Sequence, residues 1–202
     1  MIRLCYFGRI APEKGIDVLL RAMEMVKIPV ELDVYGIGAK PDRGEGIEDR
    51  GRVEAGGGPP SRKALEGLRR EAGSNENPEI RNPESRIRWL EPVKPEAVVE
   101  TIRKYDALVV PSVWLETGPL VVLEAFAAGV PVIGSRLGGI AEMVRDGVDG
   151  ILFEAGNIDD LAEILVQFVE KKAYYKANVT RPKSTDEVAQ EHKNMYEKFL
   201  RS

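Results

Sequence analysis

The sequence has few of the side chains that build disulfides or metal sites. It contains one cysteine, Cys5, and one histidine, His192, among 202 residues. A single cysteine excludes an internal disulfide and favours an intracellular setting. One histidine near the C-terminus is too little for a zinc site. We therefore expect no bound metal and no cofactor.

Long hydrophobic runs and an excess of positive charge are also missing. The first ten residues, MIRLCYFGRI, have a short apolar stretch and no cleavage site, so we expect no signal peptide there. The apolar run at 119–134 is shorter than a membrane span and is broken by Gly129 and Pro131. The net charge of −4 argues against a nucleic-acid partner, because phosphate backbones need a basic face. The sequence thus predicts neither a transmembrane segment nor nucleic-acid binding.

Short apolar runs and helical patterns alternate along the chain, and apolar residues make up 43% of it. Apolar and β-branched runs predict strands at 2–7, 30–36, 86–93, 106–112, 130–135 and 150–154. Apolar periodicity and capping residues predict helices at 15–26, 61–72, 94–104, 118–128, 139–146, 157–170 and 184–200. Residues 39–60, rich in glycine and charge, predict an extended loop, and 74–85 a second loop. This order predicts an α/β fold with a Rossmann-like, doubly wound parallel sheet of about six strands.

The first candidate binding stretch is GRIAPEKG at 8–15, directly after the first predicted strand. Arg9 and Lys14 flank a strand-to-helix turn. Two cations beside a helix N-terminus suit a doubly charged phosphate group. The alternative is that both are solvated surface charges.

The second candidate stretch is PSVWLETGPLVVLEAFAAGVPVIGSRLGG at 111–139. Glu124 is its sole charge between 119 and 134, and a carboxylate is costly to bury in such a run unless a partner satisfies it. Glu116 stands eight residues earlier, before a predicted helix start. Acidic side chains can bind a diol, as they bind ribose in dinucleotide folds. Alternatively, Glu124 pairs with a structural arginine.

Together these motifs resemble the C-terminal, donor-binding half of a GT-B glycosyltransferase, specifically retaining glycosyltransferase family 4. The resemblance rests on G-R-x3-E-K-G at 8–15, E-x7-E at 116–124 and the long stretch 123–165, and covers nearly the whole chain. It implies that 1–202 form one nucleotide-sugar-binding domain, with 184–202 as its C-terminal helix. The acceptor-binding N-terminal domain is expected to be absent, in an excised domain, a truncated product or one half of a split enzyme.

The resemblance also implies roles for single residues. Arg9 and Lys14 would bind the donor diphosphate and stabilise the departing nucleotide, Glu116 would contact the sugar hydroxyls, and Glu124 the ribose. Arg9, Lys14 and Glu116 are the implied catalytic residues. The implied donor-binding set is Gly8, Arg9, Lys14, Leu90, Val93, Glu116, Gly118, Leu120, Val121 and Glu124, where the segment from Leu90 to Val93 meets the nucleobase and Gly118, Leu120 and Val121 offer backbone amides.

The resemblance places other positions near the cleft, without a direct contact to the donor. Gly138 and Gly139 are expected in a loop close to the cleft. Glu142 matches a recurrent acid of the family, for which support of a helix is favoured over contact with the donor. The family often has Phe-Gly where this chain has Gly118-Pro119. Pro119 suits the first helical turn, but it removes one amide from the site.

By resemblance, the intact enzyme would transfer a sugar from a UDP-, GDP- or ADP-sugar to an unknown acceptor, with retention of configuration. The expected location is cytoplasmic, with peripheral attachment to a membrane left open. The chain alone is expected to be inactive, because an N-terminal GT-B domain or a partner chain must complete the cleft. The alternatives are a non-catalytic nucleotide-binding module that works through a partner chain and a GT-B sugar-nucleotide epimerase. A glycan phosphorylase would need a pyridoxal phosphate lysine in a different context.

Overall fold

The computed structural model describes residues 1–38 and 86–200. Its sheet orders six strands as β3-β2-β1-β4-β5-β6, and every neighbouring pair is parallel. The strands are β1 (Ile2–Arg9), β2 (Val30–Ile37), β3 (Ile87–Leu90), β4 (Ala107–Val110), β5 (Val132–Ser135) and β6 (Gly150–Phe153). The predicted parallel α/β sheet is confirmed.

Helices connect the strands and follow the last one. They are α1 (Ile16–Met25), α2 (Val98–Ile102), α3 (Leu120–Ala127), α4 (Gly138–Met143), α5 (Ile158–Asn178) and α6 (Thr185–Leu200). Short 3-10 turns at Pro12–Lys14 and Pro95–Ala97 precede α1 and α2. The predicted loops at 39–60 and 74–85 and the predicted helix at 61–72 lie outside the described residues.

Both faces of the sheet are covered, because side chains alternate along each strand. In β1, Leu4 and Tyr6 belong to a core shared with α1 and α5, while Cys5 belongs to a second core with α2, α3 and α4. The strands β4, β5 and β6 are buried at every position. These two cores make the sheet doubly wound, as predicted.

Capping residues stand where the sequence predicts them. The side chain of Asn157 accepts a hydrogen bond from the amide of Asp160 at 3.1 Å and begins α5. Ser184 and Glu187 form a reciprocal capping box at the start of α6, with bonds of 2.6 and 3.2 Å.

Two predicted helices differ from those observed. α5 continues past residue 170, because the buried, stacked rings of Phe168 and Tyr175 extend its apolar stripe. The predicted helix at 94–104 is a 3-10 turn that begins at Pro95, followed by the short α2. Within the described ranges, no helix combines the length and apolar character that a bilayer crossing requires.

Candidate functional site

The candidate site lies where the strand order reverses. β1 continues through α1 to β2 on one side, while β4 lies on its other side, so a crevice opens between the carboxyl ends of β1 and β4. Ligands of doubly wound sheets bind at such a point. A small cavity of about 40 Å³ lies there. Its lining includes Phe7, Gly8, Lys14, Pro111, Glu116 and Val121.

The first site loop, residues 10–15, leads from β1 to α1. Arg9 is the last residue of β1, and the hydroxyl of Tyr6 donates a hydrogen bond of 2.6 Å to the Arg9 carbonyl. Burial raises the pKa of Tyr6 above its ordinary value, and the carboxylates of Glu116 and Glu13 add to the effect. Tyr6 is therefore a neutral donor that fixes the backbone of Arg9.

Each predicted phosphate-binding cation is paired with a carboxylate. Arg9 Nη2 lies 2.8 Å from Glu13 Oε1, and both side chains are substantially exposed, at 67% and 35%. Lys14 Nζ lies 2.7 Å from Glu116 Oε2, and these side chains are only 26% and 17% exposed. The second pair is thus the better shielded from solvent, and it joins two residues of the predicted catalytic set across the crevice.

Backbone contacts hold the first site loop against the second site loop, residues 111–119. The Glu13 carbonyl accepts hydrogen bonds from Ser112 Oγ and from the Val113 amide, each at 3.0 Å. Gly15 has a φ of 64°, and a Cβ at this position would lie 1.8 Å from the Pro111 carbonyl oxygen. Only glycine permits this approach, which sets the position of Lys14 relative to Glu116.

A second close approach joins the second site loop to α4. The Gly139 amide donates to the Glu116 carbonyl at 2.6 Å, and a Cβ on Gly139 would lie 2.4 Å from the Thr117 carbonyl oxygen. Gly138 and Gly139 therefore begin a helix rather than lie in a loop, because the glycines let that helix start directly on the backbone beneath it. Glu142 is exposed on the same helix.

The N-terminus of α3 opens beside this loop. Pro119 is the N-cap residue with extended backbone, so it stands just before the first helical turn and not inside it. Its carbonyl accepts the Val122 amide at 3.0 Å. The amides of Leu120 and Val121, at the first two helical positions, have no intrahelical acceptor and carry the positive end of the helix dipole. Gly118 precedes them.

Glu124 lies in the second turn of α3 and is half-buried. Burial raises the pKa of its carboxyl above the ordinary value. Within residues 1–38 and 86–200 no arginine or other side chain pairs with Glu124. The alternative that Glu124 pairs with a structural arginine therefore has no support in these ranges. Glu124 is not among the residues that line the 40 Å³ cavity.

The predicted nucleobase segment lies on the same edge of the sheet but is not brought into the crevice. Leu90 ends β3 and is 37% exposed, while Val93 packs against the core of α2 and α3. β2 separates β3 from β1. Contact of Leu90 and Val93 with a nucleobase stays a prediction.

Three residues that shape the site were not singled out in the sequence. Tyr6, Glu13 and Ser112 act on Arg9 and on the loop that carries Lys14. Glu13 carries a detectable signal, since it lies four residues from Arg9 within the first motif. The contacts of Tyr6 and Ser112 have no comparable pattern in the sequence.

Similar proteins place the chain in a family. The family described as glycosyl transferases group 1 matches residues 2–184. D-inositol 3-phosphate glycosyltransferase of Mycolicibacterium vanbaalenii is 33% identical over 162 residues, which are 80% of this chain and 32% of that protein. The enzyme of the same name from Rhodococcus jostii is 32% identical over 189 residues, which are 93% of this chain and 37% of that protein. The chain thus spans about a third of the length of these relatives.

Solved structures share the fold. Anabaena Alr3699/HepE in complex with UDP-glucose matches with a TM-score of 0.61 and 20% identity, over 88% of this chain and 42% of that one. Sucrose-phosphate synthase from Thermosynechococcus elongatus matches with a TM-score of 0.65 and 25% identity, over 98% and 45%. The chain therefore belongs to the glycosyl transferases group 1 family, and its fold is one half of a GT-B glycosyltransferase.

Proposed function

We propose that this chain is the donor half of a glycosyltransferase that binds a nucleotide diphosphate sugar. The observation that carries the proposal is the placement of Lys14 and Glu116 on opposite walls of the crevice between β1 and β4. Arg9 stands at the end of β1, five residues before Lys14. A cation pair and a helix N-terminus favour a diphosphate, and a carboxylate favours a sugar hydroxyl.

In this proposal Arg9 and Lys14 bind the diphosphate together with the amides of Leu120 and Val121. As the bond between sugar and phosphate breaks, negative charge grows on the departing nucleotide. Fixed cations and helix amides stabilise that charge without rearranging, which is commonly a large part of catalysis. We propose that no metal takes part.

Glu116 and Glu124 hold the rest of the donor. Glu116 accepts hydrogen bonds from the transferred sugar, and Glu124 accepts them from the ribose. Glu124 is a half-buried carboxylate without a partner among the described residues, so its charge carries a desolvation cost. A diol would offset that cost with two hydrogen-bond donors. The relative that was solved with UDP-glucose supports a nucleotide-sugar donor of this kind.

Transfer is proposed for the chain together with an N-terminal domain or a partner chain, with retention of configuration. The relatives are about two and a half times as long as this chain, and they are named D-inositol 3-phosphate glycosyltransferases. A module that binds nucleotide without transfer is the second candidate. Restoring the other domain distinguishes the two, because a binding module would still transfer no sugar.

Calorimetric titration tests the proposed site. We expect one of UDP, GDP and ADP to bind, and Arg9→Ala and Lys14→Ala each to weaken that binding by about tenfold or more, since each removes a charge-assisted contact. Lys183→Ala is the matched control, because Lys183 also pairs with a glutamate, Glu191, but on α6. Absence of binding to all three nucleotides and to their glucose esters, or equal binding by the wild type and both site variants, would refute the proposal.

A further inference from the structure

The ion pair of Lys14 and Glu116 joins the two groups that the donor is proposed to use. Lys14 would bind the phosphate and Glu116 the sugar. Their charged atoms lie 2.7 Å apart, and both side chains are largely shielded from water. A donor that binds Lys14 through phosphate and Glu116 through hydroxyl groups therefore competes with this ion pair on both sides.

Backbone contacts fix the chain on both sides of the pair. Ser112 and Val113 hold the Glu13 carbonyl beside Lys14, and Gly15 packs directly on Pro111. On the opposite wall, the Glu116 carbonyl is held by an amide of α4. Rotation of the two side chains opens the pair without breaking these backbone contacts.

A bare nucleoside diphosphate and a nucleotide sugar differ in the groups they offer to this pair. A bare nucleoside diphosphate brings an anion to Lys14 but offers Glu116 nothing, so a shielded carboxylate is left beside a phosphate of the same sign. A nucleotide sugar brings hydroxyl donors that replace the lysine as partners of Glu116.

We propose that Glu116 competes with phosphate for Lys14, so that the site binds a nucleotide sugar in preference to the bare nucleoside diphosphate. The inference rests on the proposed donor-binding function. Its consequence is selectivity for substrate over product: once the sugar has left, Glu116 recaptures Lys14 and favours release of the nucleotide.

The test is a pair of titrations on the full chain. The nucleotide among UDP, GDP and ADP that binds most tightly is compared with its glucose ester, for wild type and Glu116→Gln. We expect the variant to bind the bare nucleotide at least about threefold more tightly, because a shielded ion pair no longer competes. Binding of the glucose ester should not improve in parallel, so the ratio of the two affinities changes.

Two further variants keep the result interpretable. Glu191→Gln removes the same charge from another glutamate–lysine pair of 2.7 Å, on α6, and should leave nucleotide binding unchanged. Glu116→Asp keeps the charge and shortens the side chain, so it should raise the affinity for the bare nucleotide less than Glu116→Gln does. Thermal unfolding of each variant checks that the chain remains folded, and the aspartate variant carries the test if the glutamine variant does not fold.

Three results would overturn the inference. The first is that the bare nucleotide binds Glu116→Gln no more tightly than wild type. The second is that the affinities for the bare nucleotide and for its glucose ester rise by the same factor. The third is that Glu191→Gln reproduces the effect through net charge alone. If wild type binds none of the three nucleotides and none of their glucose esters, the proposed function fails as well. Loss of binding in Lys14→Ala combined with no change in Glu116→Gln would overturn the inference alone.

Discussion

At the scale of single residues, Glu124 shows how binding and stability oppose each other. Its carboxyl is half-buried without a partner among the described residues, and burial raises its pKa. An acid whose folded pKa is raised binds its proton more readily in the native state. Its ionisation therefore destabilises the fold as the pH rises through the raised pKa, and the penalty is absent below the unfolded pKa of about 4.3.

Replacing Glu124 by Gln should separate the two effects. We expect the melting temperature at pH 7 to rise by roughly 1–3 °C, because the substitution removes a half-buried charge to which residues 1–38 and 86–200 offer no partner. The gain should disappear at about pH 4, where the wild-type carboxyl is protonated. Nucleotide affinity should fall in the same variant, since a neutral amide accepts ribose hydroxyls less strongly. A melting temperature at pH 7 equal to or below that of wild type would contradict the burial argument.

At the scale of elements, the site is set by how closely two loops approach. Gly15 and Gly129 both have positive φ, at 64° and 72°. A Cβ on Gly15 would meet the Pro111 carbonyl, whereas a Cβ on Gly129 would meet nothing within 4 Å. The two glycines thus share the cost of a left-handed backbone and differ in the steric contact.

Alanine at each position measures that contact. Gly129→Ala should destabilise the chain by about 1 kcal/mol through the backbone alone. Gly15→Ala should exceed that by about 2 kcal/mol, and it should also weaken nucleotide binding because the loop of Lys14 must move. Urea unfolding and calorimetry give the two quantities. Equal stability loss in both variants would show that the loops do not need this approach.

The elements themselves could be predicted from sequence, and the contacts between them could not. Buried runs such as Ala107–Val110 and local caps such as Asn157 depend on residues near each other in the chain. The pair of Lys14 and Glu116 joins residues 102 positions apart. No periodicity reports such a pairing, because the fold and not the local chain brings the two together. For the same reason the roles of Tyr6 and Ser112 became visible only in the structure.

At the scale of the whole molecule, one buried carboxylate on β2 contacts side chains on both neighbouring strands, β1 and β3. Asp33 in β2 is 2% exposed and accepts two hydrogen bonds from Arg88 of β3, at 2.7 and 2.8 Å. The hydroxyl of Tyr105, before β4, also donates to it, and Arg3 of β1 lies 3.7 Å away. Burial alone would raise the pKa of Asp33, but the hydrogen bonds from Arg88 and Tyr105 hold it below the ordinary value.

The sign of this shift sets the pH dependence of folding. A carboxyl with a lowered folded pKa contributes stability above its unfolded pKa of about 3.9, and the contribution is lost as the pH falls through the folded value. Asp33→Asn should therefore destabilise the chain at pH 7 by about 2 kcal/mol, because the guanidinium of Arg88 loses its charged partner. Below about pH 4 the variant should lose less stability on acidification than wild type.

Denaturant unfolding at pH 7 and pH 3 measures both effects, with Asp186→Asn as the control. Asp186 is exposed in the first turn of α6, so its replacement removes the same charge without a buried partner. If Asp33→Asn matches that control at pH 7, the contacts of Asp33 add nothing to the fold. If these contacts hold β1, β2 and β3 together, the amide protons of the edge strand β3 should exchange faster in Asp33→Asn than in wild type. The increase should be smaller in β4, which is flanked by strands on both sides.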